Sequence, residues 1–265
     1  MNTLSRSLLA LLVLLTALPF SLSSQAMTDA EAVNVSGSQR MLSQRMMKSY
    51  LMLGADIKVD DARKQLDESV GLFEERLQTL LAYAPNRPIR DKLKQVEALW
   101  NRHRQAILAS PNKAHIKPLM AANIELLQAC HRVVLAIAKH SGQASAELVN
   151  ISGRQRMLSQ RIAKAYIALY WNVQSAQVRE EFEEAKQQFS AALLKLKESP
   201  LNNRQVTQAL ERVESQWHFS QSGFRLNANG HYVPTIISVT TESILWKMND
   251  ITHMYEEIME AQKKI

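Results

Sequence analysis

At 265 residues the chain has room for one or two domains, and its single cysteine, Cys130, excludes an internal disulfide. Lys and Arg outnumber Asp and Glu by 32 to 25, a formal net charge of +7, which points to small anions, acidic proteins or anionic lipid headgroups as partners. Seven glycines and seven prolines are few for this length and fall between periodic segments, a composition that suits long helices.

The N-terminus comes first in chain order. Arg6 precedes an apolar run from Leu8 to Phe20, and Ser24-Gln25-Ala26 offers small residues for a peptidase. This pattern predicts a cleavable secretory signal over residues 1–26, with the exported chain starting at Met27. Export to the periplasm makes nucleic acid an unexpected partner. No later segment is expected to span a membrane, because the apolar stretch Val133 to Ala138 is bounded by Arg132 and Lys139.

The next segment occurs twice. Residues Val33 to Tyr50 and Val149 to Tyr166 are identical at thirteen of eighteen positions at a fixed offset of 116, so the chain contains an internal duplication. The offset continues more weakly at Phe73, Leu77 and Leu80, which match Phe189, Leu193 and Leu196; one residue out of phase, Trp100 matches Trp217. Breakers divide the first copy into helices expected near Asp29–Leu53, Asp61–Tyr83, Ile89–Ala109 and Pro118–His140. Thr28 and Glu31 have capping-box spacing. The second copy repeats the plan from about Ser145, with breaks near Asn172–Ser175, Ser199-Pro200 and Asn227–Pro234. The expected fold is all-α: two tandem four-helix up-down bundles, over residues 27–142 and 143–265. Trp100, Trp217 and Cys130 are expected in the core.

On a helical wheel the opening segment has two opposed stripes. Val35, Leu42, Met46 and Leu53 should face the module's own core, and Val33, Gly37, Arg40, Gln44, Met47 and Leu51 should face a second bundle. The middle of the second stripe, Gly37-Arg40-Gln44, recurs as Gly153-Arg156-Gln160. A mid-helix glycine costs ~1 kcal/mol relative to alanine, so its retention in both copies asks for a close approach. An arginine in a packing stripe needs a partner, and its planar fork suits carboxylate, phosphate or nitrate-like oxygens. These six residues are candidate halves of an anion site; the alternative is that each arginine pairs with a glutamate on a neighbouring helix. If the chain reverses at His140–Gln143 the two opening helices run parallel and Arg40 faces Arg156; if the helix runs through Gly142 the modules stack end to end and each site needs a dimer partner.

The segment Ser-Gly-x-Gln-Arg-Met-Leu-Ser-Gln-Arg at Ser36–Arg45 and Ser152–Arg161 resembles the opening of the PilJ-type, or NarX-like, periplasmic sensor module, the N-terminal domain of some chemoreceptors and nitrate-sensing histidine kinases. The resemblance is strong over the first helix of each copy and architectural elsewhere. It implies a four-helix bundle. In the nitrate sensors of that family, nitrate or nitrite lies between two opening helices, and the ligand arginine corresponds to Arg40 and Arg156, with Gly37 and Gly153 at the motif glycine. The second transmembrane helix and cytoplasmic signalling portion usual in the family have no counterpart in this sequence. The expectation is a soluble periplasmic oxyanion-binding protein, without cofactor or metal, that serves a membrane sensor or transporter. The alternative is a helical interaction module that docks a chemoreceptor, a pilus component or a second copy of itself. An enzyme is not expected, because the seven histidines are scattered without HExxH spacing.

Overall fold

The computed structural model describes residues 27–173, 175–228 and 232–263; the expected secretory signal lies outside them. Among the described residues the chain forms eight helices and no strand. The first four are α1 (Asp29–Gly54), α2 (Val59–Tyr83), α3 (Arg87–Ile107) and α4 (Lys113–Ser141). The second four are α5 (Ala146–Tyr170), α6 (Ala176–Lys197), α7 (Arg204–Ala228) and α8 (Pro234–Lys263). Each set closes into an up-down bundle.

Local chemistry explains most boundaries. Thr28 caps α1, its Oγ1 accepting from the Glu31 amide at 3.1 Å, and the same hydroxyl donates to Glu260 on α8 at 2.7 Å. Two prolines expected at helix boundaries, Pro88 just before one helix and Pro118 at the start of another, lie inside them. Pro88 sits in the first turn of α3, which Asn86 caps through the Ile89 amide. Pro118 sits inside α4, which starts five residues earlier behind Asn112. A proline near a helix start forfeits few intrahelical bonds, so a good cap upstream overrides it. The α4 helix is long and apolar enough to cross a membrane by length and composition alone. In the fold it is a bundle helix: Ile116, Leu126, Val134 and Ile137 are buried, and Asn123 bonds to α1.

The chain reverses between the modules. Gly142 ends α4 in the left-handed region at φ 66°, and α5 starts four residues later. Helix α8 runs antiparallel to both α5 and α1. Against α5, Arg156 reaches Asn249 and Gln160 reaches Thr241; against α1, Asn34 reaches Glu256 and Lys48 reaches Glu242. Therefore α1 and α5 are parallel, and they form the most extensive helix pair in the molecule.

The two-stripe reading of α1 understates its burial. Every residue from Ser36 to Met52 is buried, while Val35 and Leu53, assigned to the core stripe, are partly exposed. Helix α2, α4, α5 and α8 all pack on α1. Burial on all sides of a half-polar helix demands internal partners for its polar groups. Gln39 donates to the Phe73 carbonyl at 3.0 Å, and its copy Gln155 donates to the Phe189 carbonyl at 2.8 Å. The same two phenylalanines stack on Trp100 and Trp217 at 4.5 and 4.4 Å, which places both tryptophans in the core. Cys130 is buried, and burial pushes its thiol up to about 12.

Two buried lysines show how the modules are joined. Lys164 and Arg161 share Glu181 on α6, at 2.6 and 2.9 Å, within the second module. Their copies Lys48 and Arg45 share Glu242 on α8, both at 2.8 Å, across the module boundary. Gln65 stands where the first module would carry the counterpart of Glu181, so the first module's buried lysine takes its counter-charge from the second. Burial alone would raise the Glu242 carboxyl, but Lys48 and Arg45 outweigh it and hold it below the usual carboxylate value. Glu181 behaves likewise beside Lys164 and Arg161.

Removing one member of such a buried pair strands the other charge, so Glu242→Gln is expected to lower stability to urea by about 3–5 kcal/mol at neutral pH. Because the folded-state carboxyl is depressed, the stabilisation is complete above the usual carboxylate range and is lost as pH falls through the folded value. Urea titrations across that range should therefore show a smaller acid loss in Glu242→Gln than in the wild type.

Candidate functional site

The α1–α5 contact brings together four of the six sequence-predicted residues. A Cβ placed on Gly37 would lie 3.5 Å from the Nη2 atoms of both Arg40 and Arg156; one on Gly153 would lie 3.1 Å from Arg156 Nη2 and 3.8 Å from Arg40 Nη2. The two guanidinium groups therefore stand side by side in the space that the glycines leave open. Both arginines are 1% exposed.

Neutral groups hold them. Arg40 donates from Nη2 to the Asn150 carbonyl at 3.2 Å and from Nη1 to His131 Nδ1 at 3.2 Å. Arg156 donates from Nη2 to the carbonyl and side-chain oxygens of Asn34, at 3.3 and 2.7 Å, and from Nη1 to Asn249 Oδ1 at 2.7 Å. The arrangement is pseudo-symmetric: each arginine reaches the asparagine six residues before the other. The Nε of each arginine has no partner among the described residues. No carboxylate among the described residues comes within ion-pair distance of either guanidinium, so the alternative of an arginine–glutamate pair is not what the fold contains.

The electrostatics are adverse. Burial pulls Arg40 down to about 9, and Arg154 adds to the effect. Arg156 falls to about 9 through burial, with Arg76 and Arg40 adding, while Glu256 opposes. Both remain cationic at neutral pH. Burial, then Arg40, Arg154 and Arg132, lowers His131 to about 4, so its ring is neutral and Nδ1 can accept from Arg40. The site is thus a buried cationic pair with spare donors, a geometry that suits a planar or tetrahedral oxyanion.

Gln44 and Gln160 are not part of it. Gln44 donates to Asn123 Oδ1 on α4 at 2.9 Å, and Gln160 to the Thr241 carbonyl on α8 at 3.3 Å. A residue four positions beyond the arginine lies about one turn up the helix, and here it turns onto the module's own fourth helix. Sequence reasoning missed Asn34 and Asn150, although their identity in the two copies was a usable signal. It also missed His131 and Asn249, which differ in type and carried none.

Gly37 and Gly153 are both mid-helix, yet their surroundings differ. A methyl group at Gly37 meets ordinary contacts, whereas one at Gly153 presses on Arg156. Gly37→Ala is expected to stabilise the unliganded protein by up to about 1 kcal/mol through helix propensity. Gly153→Ala should gain less or lose stability. Thermal unfolding of the two variants beside the wild type checks the order.

A family model described as the type IV pili methyl-accepting chemotaxis transducer N-terminal domain, PilJ, matches residues 21–122 and 137–222. No curated protein and no solved structure matches the chain. The matched segments cover more than half of the sequence, and each contains one arginine-bearing opening helix, so the chain belongs to the PilJ family.

Proposed function

We propose that this protein is a periplasmic sensory module, not an enzyme, that binds a small oxyanion, nitrate or nitrite, between Arg40 and Arg156, as an accessory to a signalling or transport system. Membership of the PilJ family associates the chain with chemotaxis-transducer signalling. The observation that carries the ligand reading is the pair of fully buried, facing arginines served only by neutral acceptors. Four amide oxygens and an imidazole satisfy some donors but cancel no charge, and two like charges in a buried space repel. A bound monovalent oxyanion supplies the missing charge and accepts from the spare Nε and Nη donors. Because the arginines belong to different modules, the same anion draws α1 and α5 together, which gives binding a mechanical consequence.

Calorimetry with nitrate and with nitrite tests the reading. Heat of binding is expected at or below millimolar ligand, and Arg40→Ala and Arg156→Ala should each abolish it while helicity is retained. Ligand at a hundredfold its dissociation constant should stabilise the wild type by about 2.7 kcal/mol and leave both variants unmoved. Folded protein that gives no heat with either anion refutes the assignment.

A second reading rests on a separate feature. Ile236, Val239 and Trp246 form an exposed apolar line on α8, 45%, 49% and 53% accessible, beside the groove between α2 and α8. This line suits docking of a receptor, a pilus component or a second copy of the chain. Light scattering that shows a stable complex, lost in Trp246→Glu and indifferent to nitrate, would favour that reading over the first.

A further inference from the structure

The first module contains a cavity of about 390 Å³ between α3 and α4, lined by Leu99, His103, Ala106, Leu119 and Ala122, with Tyr50 of α1 at its side. Its wall is mainly apolar. Among its polar groups is His103, 2% exposed, whose Nδ1 and Nε2 both lack a partner among the described residues. A buried imidazole with two unused nitrogens is uncommon, because buried polar groups are nearly always bonded. Burial, with Lys164 adding, holds the ring down to about 4, so His103 is neutral and offers one donor and one acceptor.

The duplication provides an internal control. The tryptophan offset of 117 pairs Ala106 with Gly223, the offset of 118 between the arginine partners His131 and Asn249 pairs Leu119 with Ile237, and a Cβ on Gly223 would lie 2.7 Å from Ile237 Cδ1. At this position the glycine lets the Ile237 side chain of α8 come up against the backbone of α7. Tyr166, the counterpart of Tyr50, packs against Phe224 and Tyr232 at 6.3 and 5.6 Å, and Phe182 meets Phe224 at 5.2 Å. The counterpart of His103 is Ser220, whose hydroxyl bonds to the Gln216 carbonyl on its own helix. In the second module, then, described aromatic rings pack around this place and the polar group is satisfied. In the first, both the space and the polar group remain open.

We propose that this cavity is a second ligand site, for a small neutral and mainly apolar molecule whose single hydroxyl, carbonyl or N–H group bonds to His103. The volume lies within the range of small-molecule pockets. A neutral histidine among apolar walls disfavours a charged ligand, which would lose its hydration without a counter-charge. Arg102, His115 and Glu125 stand around the cavity with both signs of charge, so they do not select an ion of one sign. The site is independent of the arginine pair and does not rest on the oxyanion reading.

The test uses 2-naphthol and 1-octanol as probes, one aromatic and one aliphatic, with 2-naphthoate as the charged control. The readout is the ring ¹⁵N resonances of His103, assigned by their loss in His103→Phe. At least one neutral probe should shift these resonances in a saturable manner, and 2-naphthoate should bind at least tenfold more weakly than 2-naphthol. Ala106→Leu and Ala122→Phe should each fill the cavity and abolish the shift while preserving helicity, and calorimetry with 2-naphthol should show binding to His103→Phe weakened about tenfold. An absence of any His103 shift with either neutral probe overturns the proposal. So does binding that survives in both filled variants. If one filled variant does not fold, the other decides.

Discussion

Two parallel helices that are polar yet buried on every side set the terms for the rest of the molecule. A helix buried all round is ordinarily apolar all round. Here α1 buries Ser36, Gln39, Arg40, Ser43, Gln44, Arg45, Lys48 and Ser49 in less than four turns, and each polar group must find a partner inside the protein. The surrounding helices provide many of them: the Phe73 carbonyl for the Gln39 amide, Asn123 for the Gln44 amide, Glu242 for Arg45 and Lys48. Against this background the arginine pair is an exception. The same helix shows how the fold treats a buried cation it means to neutralise, with a carboxylate 2.8 Å from Lys48. Five residues from Arg45, Arg40 receives a carbonyl and an imidazole instead. The contrast within one helix argues that the uncompensated charge belongs to the site and is not a general tolerance for buried charge.

The two halves have kept their centre and changed their flanks. The opening helices and their phenylalanine–tryptophan stacks are nearly superimposable in chemistry. The counter-ion of the buried lysine, the partner of the arginine on the fourth helix and the packing between third and fourth helices all differ. Changes of this kind follow from duplication within one chain, because each half needs only half of the original set of contacts once the other half is always present. Glu242 can serve Lys48 only because α8 is tethered beside α1. His131 and Asn249 can differ only because no symmetry operator obliges the two arginines to have the same neighbour.

The helical architecture was legible in the residues because it depends on patterns that repeat: breakers between periodic runs, and a duplicated opening segment that betrayed itself by comparison with its copy. Arg40 and Arg156 were legible for the same reason, and so was their juxtaposition once Gly142 was taken as a turn. What escaped was the direction of side chains one turn away. Gln44 shares the arginine's stripe on a wheel, but a wheel collapses the helix axis, and one turn along that axis the neighbour is α4 instead of α5. The starts of α3 and α4 escaped because proline was read as a boundary, when Asn86 and Asn112 had already supplied the caps. The salt links of Lys48 and Arg45 escaped because their acid lies 194 and 197 residues away, beyond any local spacing rule.

Placing both halves of the arginine site in one chain resolves a physical difficulty. A site split between two separate chains forms only when they associate, and two buried like charges at the contact oppose that association. A covalent link replaces the concentration of a partner by a high effective concentration that does not vary with expression. The turn at Gly142 aligns α1 with α5, and the buried Lys48–Glu242 pair ties α1 to α8 of the second module about two turns along from Arg40. The repulsion between Arg40 and Arg156 is then held within a fold that is already assembled. A pair of charges that would disperse a weak dimer becomes, inside one chain, a store of unfavourable electrostatic energy.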